Sequence, residues 1–210
     1  MNTNRRDFDK EAANWDENPA RVRLAADVAR AIARQVPLTP DMDILDFGCG
    51  TGLVALNFAP LVKSVTGADS SLAMIEVMEA KAREQGLNNV HTRHLLPGGS
   101  LAGAYDLIVS SMAFHHIEQP AALLRQLFAA LKMPGRLCVA DLDSDGGEFH
   151  HDNTGVFHFG FERNALGDWF RQAGFSKITA TTAAEVTRPG RTGAVRTFSV
   201  FLVCGEKNAG

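Results

Sequence analysis

The sequence predicts an α/β protein in which helices cover both faces of a mostly parallel, seven-stranded sheet. Three observations predict it. Short apolar segments of strand length alternate with longer segments in which apolar residues recur every three or four positions. The first predicted strand runs directly into a glycine-rich turn, and a helix follows it. The last two predicted strands have no helix between them, so we expect them to pair as an antiparallel hairpin at one edge.

The N-terminal segment is predicted to be a helical cap. Short and long helices are expected over residues 12–15 and 20–36, because apolar residues recur at helical spacing from Val22 to Ala33. Pro19 stands where the first turn of a helix tolerates proline, and Pro37 ends the segment. We therefore expect a single domain over residues 1–210, with the cap over 1–38 and a sheet core over 40–204.

The first half of the core alternates strands with helices. We predict strands over 43–47, 62–68 and 89–94, and helices over 53–58 and 71–84. Ser70 or Ser71 is expected to cap the second of these helices, because a serine hydroxyl can accept a hydrogen bond from a free backbone N–H of the first turn.

The second half contains four more strands and a long polar loop. We predict strands over 105–110, 136–142, 176–182 and 196–204, and helices over 120–131 and 162–173. A turn is expected at Met133-Pro134-Gly135, and Gly174 is expected to end the last helix. Residues 143–160 are polar and rich in histidine and glycine, which indicates a loop.

Charge and cysteine content argue against several classes of protein. Lys and Arg number 21, Asp and Glu number 24, and the formal net charge is −3. No basic stripe marks a nucleic-acid binder. The densest basic groups are interpreted as solvated surface, namely Arg5-Arg6 and the set Arg188, Arg191 and Arg196. The three cysteines are widely spaced and form no Cys-x-x-Cys pair, so neither a disulfide framework nor a zinc site is expected.

Hydropathy argues against a membrane protein. No apolar stretch approaches the roughly 20 residues that a membrane span needs, and the first residues lack an apolar signal core. We expect a cytoplasmic monomer or homodimer that binds a small molecule and contacts neither nucleic acid nor membrane.

The strongest motif is a glycine loop between two acidic residues. Asp46 is the last residue but one of the first predicted strand, and Gly48-Cys49-Gly50-Thr51-Gly52 follows that strand. The next strand ends at Asp69, where a carboxylate can accept hydrogen bonds from a ribose diol. Dinucleotide sites favour Gly-x-Gly-x-x-Gly and receive a pyrophosphate, which the Asp46 carboxylate would repel. A cofactor that carries an ammonium group fits this loop better.

The segments ILDFGCGTG, VTGADSSLAMIEVM and YDLIVSSMAFHHI together resemble class I S-adenosylmethionine-dependent methyltransferases of the small-molecule type. The resemblance covers residues 40–204 and implies a Rossmann-like fold, with S-adenosyl-L-methionine as cofactor and S-adenosyl-L-homocysteine as product. It implies that the cofactor-binding residues are Asp46, Gly48, Cys49, Gly50, Gly52, Asp69, Ser70, Met74, Leu95, Ser111 and Met112.

The resemblance also implies individual roles. Gly48 and Gly50 would face the methionine part of the cofactor, Asp46 would lie near its ammonium, and Asp69 would bind the ribose. Ser70 and Met74 would border the adenine, and Ser111 and Met112 would form part of the cofactor wall. Many relatives place an aspartate after the third strand, whereas this chain has HLLP at residues 94–97 and leaves that contact to the backbone or to His94.

His115 and His116 are the candidate catalytic residues. They follow the fourth predicted strand, where the resemblance places the cofactor's methionine end, and histidine is suited to accept a proton at neutral pH. The alternative is that one of them caps or packs against the next helix. Phe114 is a further candidate for the active site, and Trp15 for a lid over it.

The polar loop over residues 143–160 follows the fifth strand on the same sheet edge. It contains His150, His151 and His158 and is interpreted either as a substrate-facing lid or as a surface loop. It lacks a helical His-x-x-x-His pattern, so no metal site is predicted. Phe157, neighbouring this group, can line a pocket or pack in the core.

The leading hypothesis is therefore a methyltransferase that acts on a small molecule. Two alternatives stay open at this point: a nicotinamide-dependent oxidoreductase, and a cofactor-binding module that transfers nothing. The Asn/Asp-Pro-Pro-Tyr signature of nucleic-acid amino methylation is absent from the sequence. From the small net charge we expect an acceptor that is not strongly acidic.

Overall fold

The computed structural model describes residues 6–96, 101 and 103–208. Within them, seven strands form one sheet: β1 Asp43–Phe47, β2 Ser64–Asp69, β3 Val90–His94, β4 Tyr105–Ser111, β5 Leu131–Leu142, β6 Ser176–Pro189 and β7 Val195–Lys207. Their order is β3-β2-β1-β4-β5-β7-β6. The first five strands are parallel, and β7 runs antiparallel to both β5 and β6. The predicted fold class is confirmed.

In the described part of the chain, five α-helices cover the two faces of the sheet: α1 Pro19–Gln35, α2 Ala55–Phe58, α3 Leu72–Glu84, α4 Pro120–Ala130 and α5 Arg163–Ala173. Successive strand residues point to opposite faces, and the core divides accordingly. Ile44 packs with residues of α1, α2 and α3, whereas Leu45 packs with residues of α4 and α5. The two faces of the sheet are thus buried in two apolar layers. Loops cover the carboxyl ends of its parallel strands.

Local sequence signals place the ends of two helices. The Ser71 hydroxyl accepts a hydrogen bond from the Met74 backbone N–H at 3.2 Å, so Ser71 is the N-cap of α3. Gly174 ends α5 with a φ of 106°, a left-handed conformation that glycine adopts readily. Both predictions are confirmed.

The C-terminal hairpin is longer than predicted. β6 extends to Pro189 and β7 begins at Val195, so the connection shrinks to residues 190–194. β6 lies at the edge of the sheet, where a terminal proline is tolerated. The predicted turn at Met133-Pro134-Gly135 lies inside the span of β5, where the pairing register with β4 shifts.

The N-terminal segment docks on the α3 side of the sheet edge. It forms two 3₁₀ turns, Phe8–Lys10 and Ala12–Glu17, where the sequence predicts one short helix over 12–15. Asp9 accepts hydrogen bonds from the Ser71 hydroxyl at 2.5 Å and from the Ala73 N–H at 3.2 Å. Asp16 accepts from the Thr51 hydroxyl and from Lys81 Nζ, each at 2.6 Å. These contacts fix the segment against the glycine loop.

Some expectations fall outside the described residues, namely those for residues 1–5 of the cap and for Pro97. Among the helices of the described ranges, none has the length and apolar character that a membrane crossing requires.

Candidate active site

A cavity of about 1350 Å³ opens at the carboxyl edge of the parallel strands. Its wall comes from the N-terminal segment, from the ends of β1 to β4, from the loops after β1 to β5, and from residues of α1, α3, α4 and β6. Ligands of open parallel sheets bind at this edge, near the point where the strand order reverses. Here that point lies between β1 and β4, which are neighbours in the sheet.

The glycine loop follows β1 in a backbone conformation that other residues rarely adopt. Gly48, Gly50 and Gly52 have φ values of 71°, 52° and 81°. A Cβ on Gly48 would lie 2.5 Å from the Ala113 side chain, so the two loops approach through bare backbone. Gly52, also predicted for the cofactor site, lies against Met78 and outside the cavity wall, so its cofactor role stays a prediction.

Asp69 ends β2 and is held by the backbone on both oxygens. Oδ2 accepts a hydrogen bond from the Gly50 N–H at 2.8 Å, and Oδ1 accepts one from the Ser71 N–H at 2.9 Å. Burial raises the pKa of Asp69, and these hydrogen bonds oppose the shift. A carboxylate has about four acceptor positions, so Asp69 keeps capacity for two ligand hydroxyls in a fixed orientation.

Asp46 is the other carboxyl group beside the loop, and only 1% of it is exposed. Its Oδ2 is buried and has no hydrogen-bond partner among the described residues. Burial, and then the charge of Asp69, raise the pKa of Asp46 to about 7. A buried carboxyl oxygen without a partner is costly unless a ligand supplies one, so Asp46 suits a cationic group.

The remaining predicted cofactor residues line the same cavity: Cys49, Ser70, Met74, Leu95, Ser111 and Met112. The Leu95 N–H donates to the Asp69 carbonyl at 2.7 Å, which ties the end of β3 to β2. His94 Nε2 lies 3.1 Å from the Ser70 carbonyl oxygen. Burial raises the pKa of the Cys49 thiol well above its ordinary value, so this thiol is neutral and unreactive at neutral pH.

His115 is paired with Asp141, which lies near the end of β5. His115 Nδ1 lies 2.7 Å from Asp141 Oδ1, and the His115 backbone N–H donates to Oδ2 at 3.2 Å. Both residues are buried; Asp141 belongs to β5, and His115 belongs to a 3₁₀ turn, Phe114–His116, that follows β4. Burial favours the neutral acid, but the charge and hydrogen bond of His115 outweigh it and lower the pKa of Asp141. The carboxylate therefore fixes the Nδ1–H tautomer of His115.

Two more histidines surround His115. Its ring centroid lies 4.2 Å from that of His116 and 4.9 Å from that of His150. His116 Nδ1 lies 2.7 Å from the Gly155 carbonyl oxygen, which can only accept, so this nitrogen carries the proton. His150 Nε2 is buried without a partner among the described residues.

Both neighbouring histidines are uncharged at neutral pH. Burial, and then the charge of His115, lower the pKa of His116 to about 4. The same two causes, together with His116, lower the pKa of His150 to about 3. The acceptor end of the cavity thus presents neutral imidazoles that can accept or donate single hydrogen bonds.

The loop over residues 143–160 is partly built into this site. Phe157 N–H donates to the His115 carbonyl at 2.9 Å, and Phe157 and His150 line the cavity. Phe114 is a correction: it is fully buried in the core layer under α4. In the described residues, no three His, Cys, Asp or Glu side chains are grouped so that they can hold a metal ion.

Sequence reasoning did not identify three arginines of the cavity wall, Arg6, Arg21 and Arg188. Arg6 and Arg188 are also corrections to the predicted solvated surface, because Arg6 lies over the Phe8 ring at 5.3 Å and Arg188 over the Phe149 ring at 5.0 Å. The position of Asp141 could have been predicted from the sequence, since it lies near the end of the strand that pairs with the one ending in Ser111. No local pattern distinguishes the arginines from ordinary surface residues.

Comparison with known proteins agrees with this geometry. A family model described as "Methyltransferase domain" matches residues 20–180. An uncharacterized methyltransferase of Schizosaccharomyces pombe is 34% identical over 161 residues, covering 69% of this chain and 57% of that protein. A ubiquinone biosynthesis O-methyltransferase of Methylobacterium sp. (strain 4-46) is 30% identical, covering 96% of this chain and 93% of that protein.

Structure comparison gives the same fold. The YcgJ protein of Bacillus subtilis superimposes with a TM-score of 0.72 at 17% identity, covering 87% of this chain and 99% of that one. Among curated relatives, the chain spans 57%, 40% and 37% of the lengths of three that it matches. With most of its length under the family model, the chain belongs to the methyltransferase-domain family of class I S-adenosylmethionine-dependent methyltransferases.

Proposed function

We propose that this protein transfers a methyl group from S-adenosylmethionine to a small-molecule acceptor and releases S-adenosylhomocysteine. The observation that carries the proposal is the pair of carboxyl groups beside the glycine loop of the cavity, the buried Asp46 and the half-buried Asp69. The cofactor offers an ammonium group for the first and a ribose diol for the second. A nicotinamide dinucleotide instead offers a pyrophosphate, which Asp46 repels when it is ionised.

The rest of the cofactor subsite follows from the cavity wall. We assign the bare backbone of Gly48 and Gly50 to the methionine part, and Ser111 and Met112 to the wall beside it. Ser70, Met74 and Leu95 are assigned to the adenine. Met74 is buried and apolar, as the face of a purine requires.

Bound S-adenosylmethionine supplies an electrophilic methyl group on a sulfonium. The chain must then orient the acceptor, exclude water and, for a protonated nucleophile, remove one proton. We assign the removal of this proton to Nε2 of His115. Asp141 accepts a hydrogen bond from the opposite ring nitrogen, Nδ1, and stabilises the imidazolium that forms. His116, with a pKa of about 4, is a weak base at neutral pH and is assigned a hydrogen bond to the acceptor.

Titration calorimetry with S-adenosylhomocysteine, S-adenosylmethionine and NADH tests the cofactor half of the proposal. We expect affinities on the order of micromolar for the first two and none for NADH. Asp69→Ala should weaken binding by about 1–3 kcal/mol, because ligand hydroxyls and two backbone N–H groups lose their acceptor. Asp41→Ala, on an exposed turn before β1, is the matched control. Binding of NADH alone would refute the assignment.

A transfer assay tests the other half. The protein is incubated with methyl-labelled S-adenosylmethionine and panels of phenols, thiols and amines, and labelled products are separated. We expect a labelled product from at least one class. Cofactor binding without product from any panel would support the cofactor-binding module without transfer.

A further inference from the structure

The cavity wall holds three arginines that the methyl transfer proposed above does not use. Arg6, Arg21 and Arg188 are half-buried and come from the N-terminal segment, the first turn of α1 and the end of β6. We propose that they form a subsite for an anionic group of the acceptor, and that the acceptor is an aromatic carboxylate. This inference rests on the proposed function, because it names the substrate class of the same site.

On the side of the cavity formed by C-terminal residues, the Phe149 ring lies between Arg188 and His150. The Phe149 ring lies 5.0 Å from the His150 ring, and the Arg188 guanidinium lies 5.0 Å from the Phe149 centroid. Nε2 of His150, which has no hydrogen-bond partner among the described residues, is therefore one ring away from a cation. This spacing fits a ligand with a nucleophilic atom at one end and a charged group at the other.

The N-terminal segment places a second aromatic ring between a histidine and an arginine, on the opposite side of the cavity. The Phe8 ring lies 5.1 Å from the His116 ring, and the Arg6 guanidinium lies 5.3 Å from the Phe8 centroid. Trp15 packs edge-on against Phe8 and carries the Arg21 guanidinium 3.8 Å above its ring. The cavity is thus layered, with neutral histidines inside, aromatic rings between and arginines outside.

The positive charges of the three arginines are only partly paired with carboxylates. Arg6 donates two hydrogen bonds to Glu11, at 2.6 and 2.7 Å, whereas Arg21 lies 3.9 Å from the same carboxylate. Within the described residues, no carboxylate forms an ion pair with Arg188. Burial lowers the pKa of Arg21, Glu11 opposes the shift, and repulsion from the other two arginines adds to it. An anion placed here relieves that repulsion.

The other carboxylates of the outer wall do not cancel this charge. Asp7 pairs with Lys10, and Asp9 is bound to the N-terminus of α3. Asp152 accepts from Thr154 and, like Glu118, is exposed, so solvent and salt screen its charge. The net charge of −3 belongs to the whole chain, whereas the outer wall of the cavity is locally basic. We therefore revise the expectation that the acceptor is not strongly acidic.

The chemistry of the layers narrows the ligand. A guanidinium offers a planar fork of donors that matches a carboxylate in two hydrogen bonds. Rings that lie between, such as Phe8 and Phe149, favour a planar apolar body through edge-to-face contacts. A hydroxylated aromatic acid combines both features with a nucleophilic oxygen for the histidines.

Calorimetry on the full chain saturated with S-adenosylhomocysteine tests the subsite. The ligands are 4-hydroxybenzoate, its neutral analogue 4-hydroxybenzamide and its cationic analogue 4-hydroxybenzylamine. A larger pair, 6-hydroxy-2-naphthoate and its amide, completes the series. We expect an acid to bind at least about tenfold more tightly than its amide, and the amine to bind most weakly. Arg188→Gln should remove most of this preference. Arg191→Gln, on the neighbouring turn and outside the cavity wall, should keep it.

Four results would overturn the inference: equal binding of acid and amide, tightest binding of the amine, no binding of either acid, or an unchanged preference in Arg188→Gln. Thermal melting of both variants verifies that they fold. Binding of S-adenosylhomocysteine is measured first on every sample. If it fails, the proposed function is wrong, and the same ligand series on the unliganded chain still decides the anionic subsite.

Discussion

Asp46 should destabilise the unliganded protein at alkaline pH, and Asp46→Asn should remove that cost. The pKa of this carboxyl group is raised from 3.8 to about 7 in the folded chain. Between these values the unfolded chain ionises Asp46 while the folded chain keeps it protonated. The folded state then binds more protons, so the free energy of unfolding falls as pH rises and levels off above the folded pKa.

The magnitude follows from the shift. Each pH unit between the two pKa values costs about 1.4 kcal/mol, so the two units from about pH 5 to about pH 7 cost about 3 kcal/mol. The amide of Asp46→Asn has nearly the same shape and does not titrate. We therefore expect the difference in unfolding free energy, variant minus wild type, to grow by about 3 kcal/mol between pH 5 and pH 8.

Urea denaturation of both proteins near pH 5 and near pH 8, without ligand, measures this difference. Asp41→Asn, on an exposed turn, is the control and should show no such growth. A constant difference across this range would show that Asp46 does not titrate there. It would refute the argument from its buried oxygen, which has no hydrogen-bond partner in the part of the chain that the structure describes. In the proposed function the same variant binds S-adenosylmethionine more weakly, because an amide does not neutralise an ammonium.

Two further predictions concern the loop contact and the base. Gly48→Ala should lower the free energy of unfolding by about 1–3 kcal/mol and weaken cofactor binding, because its methyl group would lie 2.5 Å from Ala113 at a φ of +71°. Gly86→Ala, with a φ of +66° and nothing within 4 Å, separates backbone strain from the clash when both are measured by urea denaturation. Asp141→Asn should lower kcat about 100-fold and leave S-adenosylhomocysteine affinity unchanged, because the proton acceptor His115 loses its tautomer control. An unchanged kcat, or equal losses in kcat and affinity, would contradict that role.

The proposed cofactor half of the site could be predicted from sequence because its residues are close together in the chain. Asp46, the glycine loop and Asp69 lie within 24 consecutive positions, and each comes at the end of a strand or in the turn after it. Parallel strands bring such ends to one edge whatever the loops do. Gly52 differs from Gly48 and Gly50, because its φ of +81° and its approach to Met78 account for a glycine there without a ligand.

The acceptor half could not be predicted in the same way because it depends on distant segments. Arg188 reaches the cavity because β6 continues to Pro189, seven residues beyond the end expected from its apolar pattern. Its partner ring, Phe149, belongs to a loop whose course no periodicity specifies. Arg6 and Arg21 depend on how the 3₁₀ turns dock through Asp9 and Asp16.

The division of charge along the cavity is consistent with the chemistry proposed for it. Methyl transfer from a sulfonium removes positive charge at the reacting centre, so a carboxylate placed against the sulfur would stabilise the ground state more than the transition state. The acidic groups lie instead beside the glycine loop, where an ammonium and a ribose would bind. The rings of His116 and His150, with pKa values of about 4 and 3, add no positive charge that would repel the sulfonium. Arg188 and its neighbours, one ring farther out, can then attract an anionic acceptor without occupying the place where the cation reacts.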